Sequence, residues 1–115
     1  MGIDIYLTDH KCDHDSETDN AFRQQLAYIR ESYHGEPYPS KIFLSESFAE
    51  YDVRVTVDLL EDRLAETIKL AIERHFKVYN GRDDIREAIE PYIKFYEAVK
   101  ELEANGKEAW VTNSY

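Results

Sequence analysis

The sequence predicts a single α+β domain over residues 1–115: a small, mostly antiparallel sheet of about four strands covered by an antiparallel pair of long helices. Three observations predict it. Short segments at both ends of the chain alternate apolar and polar residues with period two, as half-buried strands do. Between Asp58 and Asn105, two long stretches repeat apolar residues at three- and four-residue spacing, as amphipathic helices do. The link from Asn80 to Asp83 between them is short, which makes the two helices antiparallel neighbours.

The elements follow in order. Over residues 2–8, Ile3, Ile5 and Leu7 face one way and Asp4, Tyr6 and Thr8 the other, giving a first strand. Residues 9–20 have no periodic apolar face and read as a loop, with Thr18, Asp19 or Asn20 available as a helix cap. Phe22, Leu26, Ile29 and Tyr33 follow a four-three-four spacing that predicts a helix from Ala21 to Tyr33. Gly35, Pro37 and Pro39 stop it and leave a stiff turn. Ile42 and Leu44 around Phe43 predict a second strand from Lys41 to Ser45. Val53, Val55 and Val57, alternating with Arg54 and Thr56, predict a third.

The next helix has Asp58 as a cap, with Glu61 as its capping-box partner and Thr56 as a rival cap. Leu60, Leu64, Ile68, Ile72, Phe76 and Tyr79 form its apolar stripe, and Asn80-Gly81 ends it. Asp83 or Asp84 caps the last helix, whose apolar face is Ile85, Ile89, Tyr92, Ile93, Tyr96 and Val99. Pro91 lies within that run, so the helix kinks or restarts there. Asn105-Gly106 closes it. Ala109 and Val111 alternate with Trp110 and Thr112 as a fourth strand, and pairing it with the first would protect both chain ends from fraying.

Composition narrows the function classes. The chain carries 24 acids against 14 bases, a formal net charge of -10. Nonspecific nucleic-acid or anionic-membrane binding needs a basic surface, so both are excluded, whereas a basic partner protein is permitted. The single cysteine, Cys12, cannot form an intramolecular disulfide, which points to a reducing, cytoplasmic setting. The N-terminus has no basic region or long apolar run, so no signal peptide is expected. No stretch approaches the roughly 20 apolar residues of a membrane span.

The stretch from Tyr28 to Pro39 is the candidate site. Its turn displays Tyr33, His34, Glu36 and Tyr38, with Arg30 just before it. Polar and aromatic groups on a rigid loop are the usual material of a binding site. His34 titrates near neutral pH, Glu36 can orient it, and Arg30 can pair with a carboxylate or phosphate. A structural corner is the competing reading.

Other constellations carry less. Asp9, His10, Cys12, Asp13, His14 and Asp15 are metal-ligand types, but their spacing completes no site and a solvated acidic loop is expected. No nucleophile elbow, phosphate loop or dinucleotide fingerprint is present. Cys12 lies among acids, which should raise its pKa rather than activate it. His75 is expected on the buried side of the long helix, near its C-terminal turn. No catalytic residue, metal or cofactor is assigned, and whether the protein is an enzyme stays open, with a non-catalytic role preferred.

The opening Met-Gly-Ile-Asp-Ile-Tyr, the segment Tyr28 to Leu44 and the closing Trp-Val-Thr-Asn-Ser-Tyr together resemble a group of small uncharacterised bacterial and phage proteins. These begin in the same way and carry a Tyr-His-Gly-Glu-Pro-Tyr turn, here residues 33–38, before a short strand. The resemblance covers roughly a third of the chain. It implies a bacterial or phage source and a role for Tyr33 to Tyr38, and it brings no catalytic residues. The resulting expectation is an acidic cytoplasmic protein that engages a partner protein, as a phage-borne regulator or inhibitor would. The alternatives are a small-ligand or nucleotide pocket, or an acid-base enzyme, built on Arg30, Tyr33, His34, Glu36 and Tyr38.

Overall fold

The computed structural model of the chain describes residues 2–12, 24–32, 38–44, 53–79 and 85–114. Four strands, β1 (Gly2–Thr8), β2 (Ala27–Ser32), β3 (Val53–Val55) and β4 (Ala109–Ser114), form one antiparallel sheet in the order β2-β1-β4-β3. Among the described residues three helices accompany it: α1 (Pro39–Phe43), α2 (Val57–Tyr79) and α3 (Ile85–Ala104). The architecture is the expected α+β one, and β1 and β4, from the two ends of the chain, are neighbours.

Period-two alternation decides which sheet face is covered. Ile3, Ile5 and Leu7 of β1 share a face with Ile29 of β2, Val55 of β3, and Ala109 and Val111 of β4. The helices complete the same core with Phe43, Leu60, Ala71, Tyr92, Phe95, Val99 and Leu102. The opposite face carries Asp4, Tyr6, Tyr28, Arg30, Arg54 and Trp110.

Side-chain bonds fix the antiparallel docking of α2 and α3. Glu103, in the last turn of α3, accepts the Val57 N–H at the start of α2 at 2.7 Å. Further along, the Tyr96 hydroxyl donates to Glu61. Rising numbers on one helix meet falling numbers on the other. Glu103 thus satisfies a free donor of the helix N-terminus with a carboxylate, where the helix dipole favours negative charge. The cap is Thr56, whose Oγ1 accepts the Leu59 N–H at 3.3 Å; Asp58 is not the cap, and Glu61 serves Tyr96 instead of a capping box.

Helix α3 runs through Pro91 and closes on Asn105-Gly106 as expected. Lys107 N–H bonds Leu102 O at 2.9 Å and Gly106 N–H bonds Glu103 O at 3.0 Å, the paired pattern of a Schellman end. Gly106 sits at φ 71, a left-handed conformation that glycine takes without a Cβ penalty.

Two expected elements are replaced. Of the helix expected from Ala21 to Tyr33, Ala27–Ser32 form strand β2 instead, and residues 21–23 and 33 lie outside the described residues. Ile29 and Glu31 point inward and are buried, whereas Leu26 is 53% exposed, so the four-three-four stripe does not exist as a surface. Pairing with β1 over six residues, Gly2↔Ser32 to Leu7↔Ala27, overrides the local spacing. The expected strand Lys41 to Ser45 is the helix α1 over Pro39–Phe43 instead. Pro39 stands in its first turn, where a fixed φ and a missing N–H suit a helix start. Pro39, Ser40, Phe43 and Leu44 are buried together, a helical spacing.

The stripe of α2 is also rotated. Leu60, Thr67, Ala71, Arg74 and His75 are its deeply buried residues, while Leu64, Ile68 and Ile72 are half-buried and Phe76 is exposed. The candidate caps Thr18 to Asn20, Asp83 and Asp84, the stop Asn80-Gly81, and Phe22 lie outside the described residues.

Candidate functional site

Of the five residues singled out from the sequence, the structure describes two. Arg30 lies on β2, on the sheet face turned away from the helices, and Tyr38 immediately precedes α1. Tyr33, His34 and Glu36 lie outside the described residues. The contacts of Arg30 and Tyr38 go to different groups. The Tyr38 ring has Lys41 Nζ at 5.0 Å and Arg74 Cζ at 5.0 Å from its centroid, cation–π geometry for both.

Arg30 belongs to a cluster on the open sheet face. Its Nη1 donates to Asp4 Oδ1 at 2.6 Å, and the Tyr28 hydroxyl donates to the same oxygen. The register dictates this, since Asp4 is opposite Arg30 and Tyr6 is opposite Tyr28. Rings facing across an antiparallel pair can stack, and Tyr6 and Tyr28 do so at 5.4 Å with 23° between planes. Burial opposes ionisation of Asp4, but the hydrogen bonds from Tyr28 and Arg30 and the guanidinium charge outweigh it, holding the carboxyl below its ordinary 3.8. Burial, and then the bond to Asp4, raise the Tyr28 phenol.

A carboxyl held low in the fold stabilises above its unfolded pKa and loses that contribution as pH falls through its folded pKa. Both members of the Asp4–Arg30 pair are partly exposed, so the effect is small. Asp4→Asn is expected to lower stability slightly at about pH 6, and the gap from the unchanged protein should be smaller at about pH 2.5. Urea titrations at both pH values check this, and a gap that widens toward acid contradicts it.

Between β2 and α1 is a buried polar hub that apolar spacing does not reveal. Glu31, 4% exposed, accepts from the Ser40 N–H at 3.0 Å, from the Ser40 hydroxyl, and from the Tyr92 hydroxyl at 2.5 Å. One carboxylate therefore ties β2, α1 and α3 together at the two roots of the segment 32–39. The clue was an acid in an inward register position of a strand, opposite Ile3. Three donors on one carboxylate and two cations on one ring make this a densely bonded junction of β2, α1 and the long helices.

The groove is beside the edge strand. Leu26, Ala27 and Tyr28 form one side. Glu87, Glu90, Pro91 and Lys94 of α3 form the other, around an open volume of about 390 Å³. Leu26 and Tyr28 are 53% and 41% exposed at its mouth. Lys94 pairs with Glu90 at 2.8 Å, as residues four apart on a helix do. These residues are some sixty positions apart in sequence, and only the fold brings them together.

The start of the acidic loop is organised by its own backbone. Thr8 Oγ1 donates to His10 O at 2.8 Å, Cys12 Sγ lies 4.0 Å from the same oxygen, and His10 Nδ1 meets Asp9 Oδ1 at 2.7 Å. The His10 hydrogen bond holds the Asp9 carboxyl below its ordinary value. Among the described residues no three His, Cys, Asp or Glu side chains gather as a metal site; Asp13, His14 and Asp15 lie outside them. Among the described residues, too, no helix is long and apolar enough to cross a membrane.

No protein-family model, curated protein or solved structure matches this chain.

Proposed function

We propose that this is a non-catalytic binding protein that engages a partner protein through the exposed side of β2 and the groove beside it. One observation carries the reading: Leu26 and Tyr28, the two large side chains around the start of β2, stand 53% and 41% exposed at the mouth of a groove. Large apolar and aromatic groups at the rim of a concavity are the usual anchors of protein interfaces. A net charge of -10 favours a basic partner and disfavours nucleic acid. The single cysteine supports a cytoplasmic setting. The resemblance of the sequence to bacterial and phage proteins supports a phage-borne regulator or inhibitor. The tyrosines of the turn, Tyr33 and Tyr38, would extend the same recognition surface.

The test is quantitative affinity capture from bacterial lysate with the unchanged protein, with Leu26→Asp/Tyr28→Ala, and with Tyr33→Ala/Tyr38→Ala. The first pair should reduce recovery of the specific partner about tenfold or more. Equal recovery by all three proteins overturns the proposal. A small ligand is the second reading, favoured by a groove volume of about 390 Å³. In that case a compound, not a protein, would raise the melting temperature by mass action.

A further inference from the structure

We infer that the groove between β2 and α3 takes a basic, extended segment of the partner, added to β2 as a further strand; this rests on the function proposed above and specifies its partner chemistry. Three features meet there. The first is the sheet edge. In the order β2-β1-β4-β3, β2 is terminal, so its outer backbone groups face no other strand of the described sheet. Such an edge is a template for an incoming strand.

The second feature is the wall of α3. Glu87, Glu90, Pro91 and Lys94 line the groove on this side. Glu90 is already neutralised by Lys94 at 2.8 Å. The Glu87 carboxylate remains as an acidic group on the wall. Such a wall suits an occupant that brings donors, namely lysine or arginine side chains.

The third feature is the apolar mouth formed by Leu26 and Tyr28. An extended segment sends alternate side chains to opposite sides. One apolar residue can then rest on Leu26 and Tyr28 while basic neighbours reach Glu87. A second copy of this chain suits the groove poorly, because each copy carries a net charge of -10 and the same acidic wall.

The experiment is fluorescence anisotropy with a labelled nonapeptide, Lys-Thr-Val-Lys-Leu-Lys-Val-Thr-Lys. Beside it run its counterpart with glutamate for every lysine and two versions with backbone N-methyl groups, at odd or at even positions. The lysine peptide should bind saturably, about tenfold or more tighter than the glutamate peptide, and more weakly as salt rises. Glu87→Gln should weaken it severalfold and Leu26→Asp should abolish it, both variants retaining the circular dichroism of the unchanged protein. One N-methyl series should lose binding, because it removes the N–H groups that face β2.

Absence of lysine-peptide binding, or equal binding of the two charge types, overturns the inference. So does binding indifferent to both N-methyl series. If partner capture then still depends on Leu26 and Tyr28, the proposed function stands and strand addition alone falls. A dimer in sedimentation that Leu26→Asp dissolves would give the groove to a second copy and equally overturn the inference.

Discussion

Glu31→Ala is expected to lower the unfolding free energy by about 3 kcal/mol, because it leaves buried donors without an acceptor at about 1–3 kcal/mol each. The carboxylate is 4% exposed and serves the Ser40 N–H, the Ser40 hydroxyl and the Tyr92 hydroxyl. Ser40 is fully buried and Tyr92 is 5% exposed, so bulk water does not reach their donor groups in the folded protein. The cost comes from leaving these donors unsatisfied, more than from losing the net strength of their bonds.

Glu31→Gln separates the two contributions. Its carbonyl oxygen can still take the Ser40 N–H and the Tyr92 hydroxyl, which share one oxygen in the structure. Its amide then faces the Ser40 hydroxyl, which can turn and accept. A loss of about 1–2 kcal/mol is expected for this variant, and about 1 kcal/mol for Tyr92→Phe. Combined, the two should cost less than their sum, because they remove one shared interaction. Urea titration monitored by circular dichroism measures the four variants against the unchanged protein. If Glu31→Ala stays within about 1 kcal/mol of the unchanged protein, the hub contributes little and α1 is held to the sheet by its apolar contacts.

The same residue explains what the sequence concealed. In Tyr28-Ile29-Arg30-Glu31, only Ile29 marks the inward face, because the second inward position is an acid. A reader of apolar spacing places Glu31 outside and finds a helix through Leu26 and Ile29 instead. The alternation of Ala27 and Ile29 with Tyr28 and Arg30 was the available signal for β2. Elements whose inward positions are mostly apolar and keep a regular period were legible: β1, β3, β4 and the two long helices. So was the pairing of the chain ends.

Helix α1 was misread because, at five residues, it is too short for a period to decide. Pro39 in its first turn was the better guide. Phe95, fully buried, was overlooked between Ile93 and Tyr96, whose spacing drew the stripe one position aside. The candidate site was legible as a stretch of residues but not as a geometry. Arg30 and Tyr38 lie eight positions apart, yet one belongs to the open sheet face and the other to the base of α1. The groove could not be read at all, since its walls meet only through the packing of α3 against β2.

Phe43→Ala is expected to cost about 3–5 kcal/mol, from lost apolar transfer and the cavity left behind. The ring is fully buried in the core. It also meets Tyr92 edge-on at 5.8 Å and 89°, and Phe95 at 6.0 Å and 69°, contacts each contributing about 0.5–1.5 kcal/mol beyond area. Phe43→Leu refills part of the space and should cost clearly less. The location of the ring makes the loss unequal across the fold. Phe43 is a main apolar attachment of α1, a helix too short to persist in water by itself.

Removing the ring should therefore free α1 before the sheet opens. Hydrogen exchange reads this directly. The Ser40 N–H is held by Glu31, and the Leu44 N–H by Ser40 O at 2.8 Å. In Phe43→Ala both should exchange by a local opening, faster than the amides of β1. Uniform acceleration across α1 and β1 would mean that the ring supports the core as a whole. Helix α1 would then share the stability of the whole core instead of opening by itself.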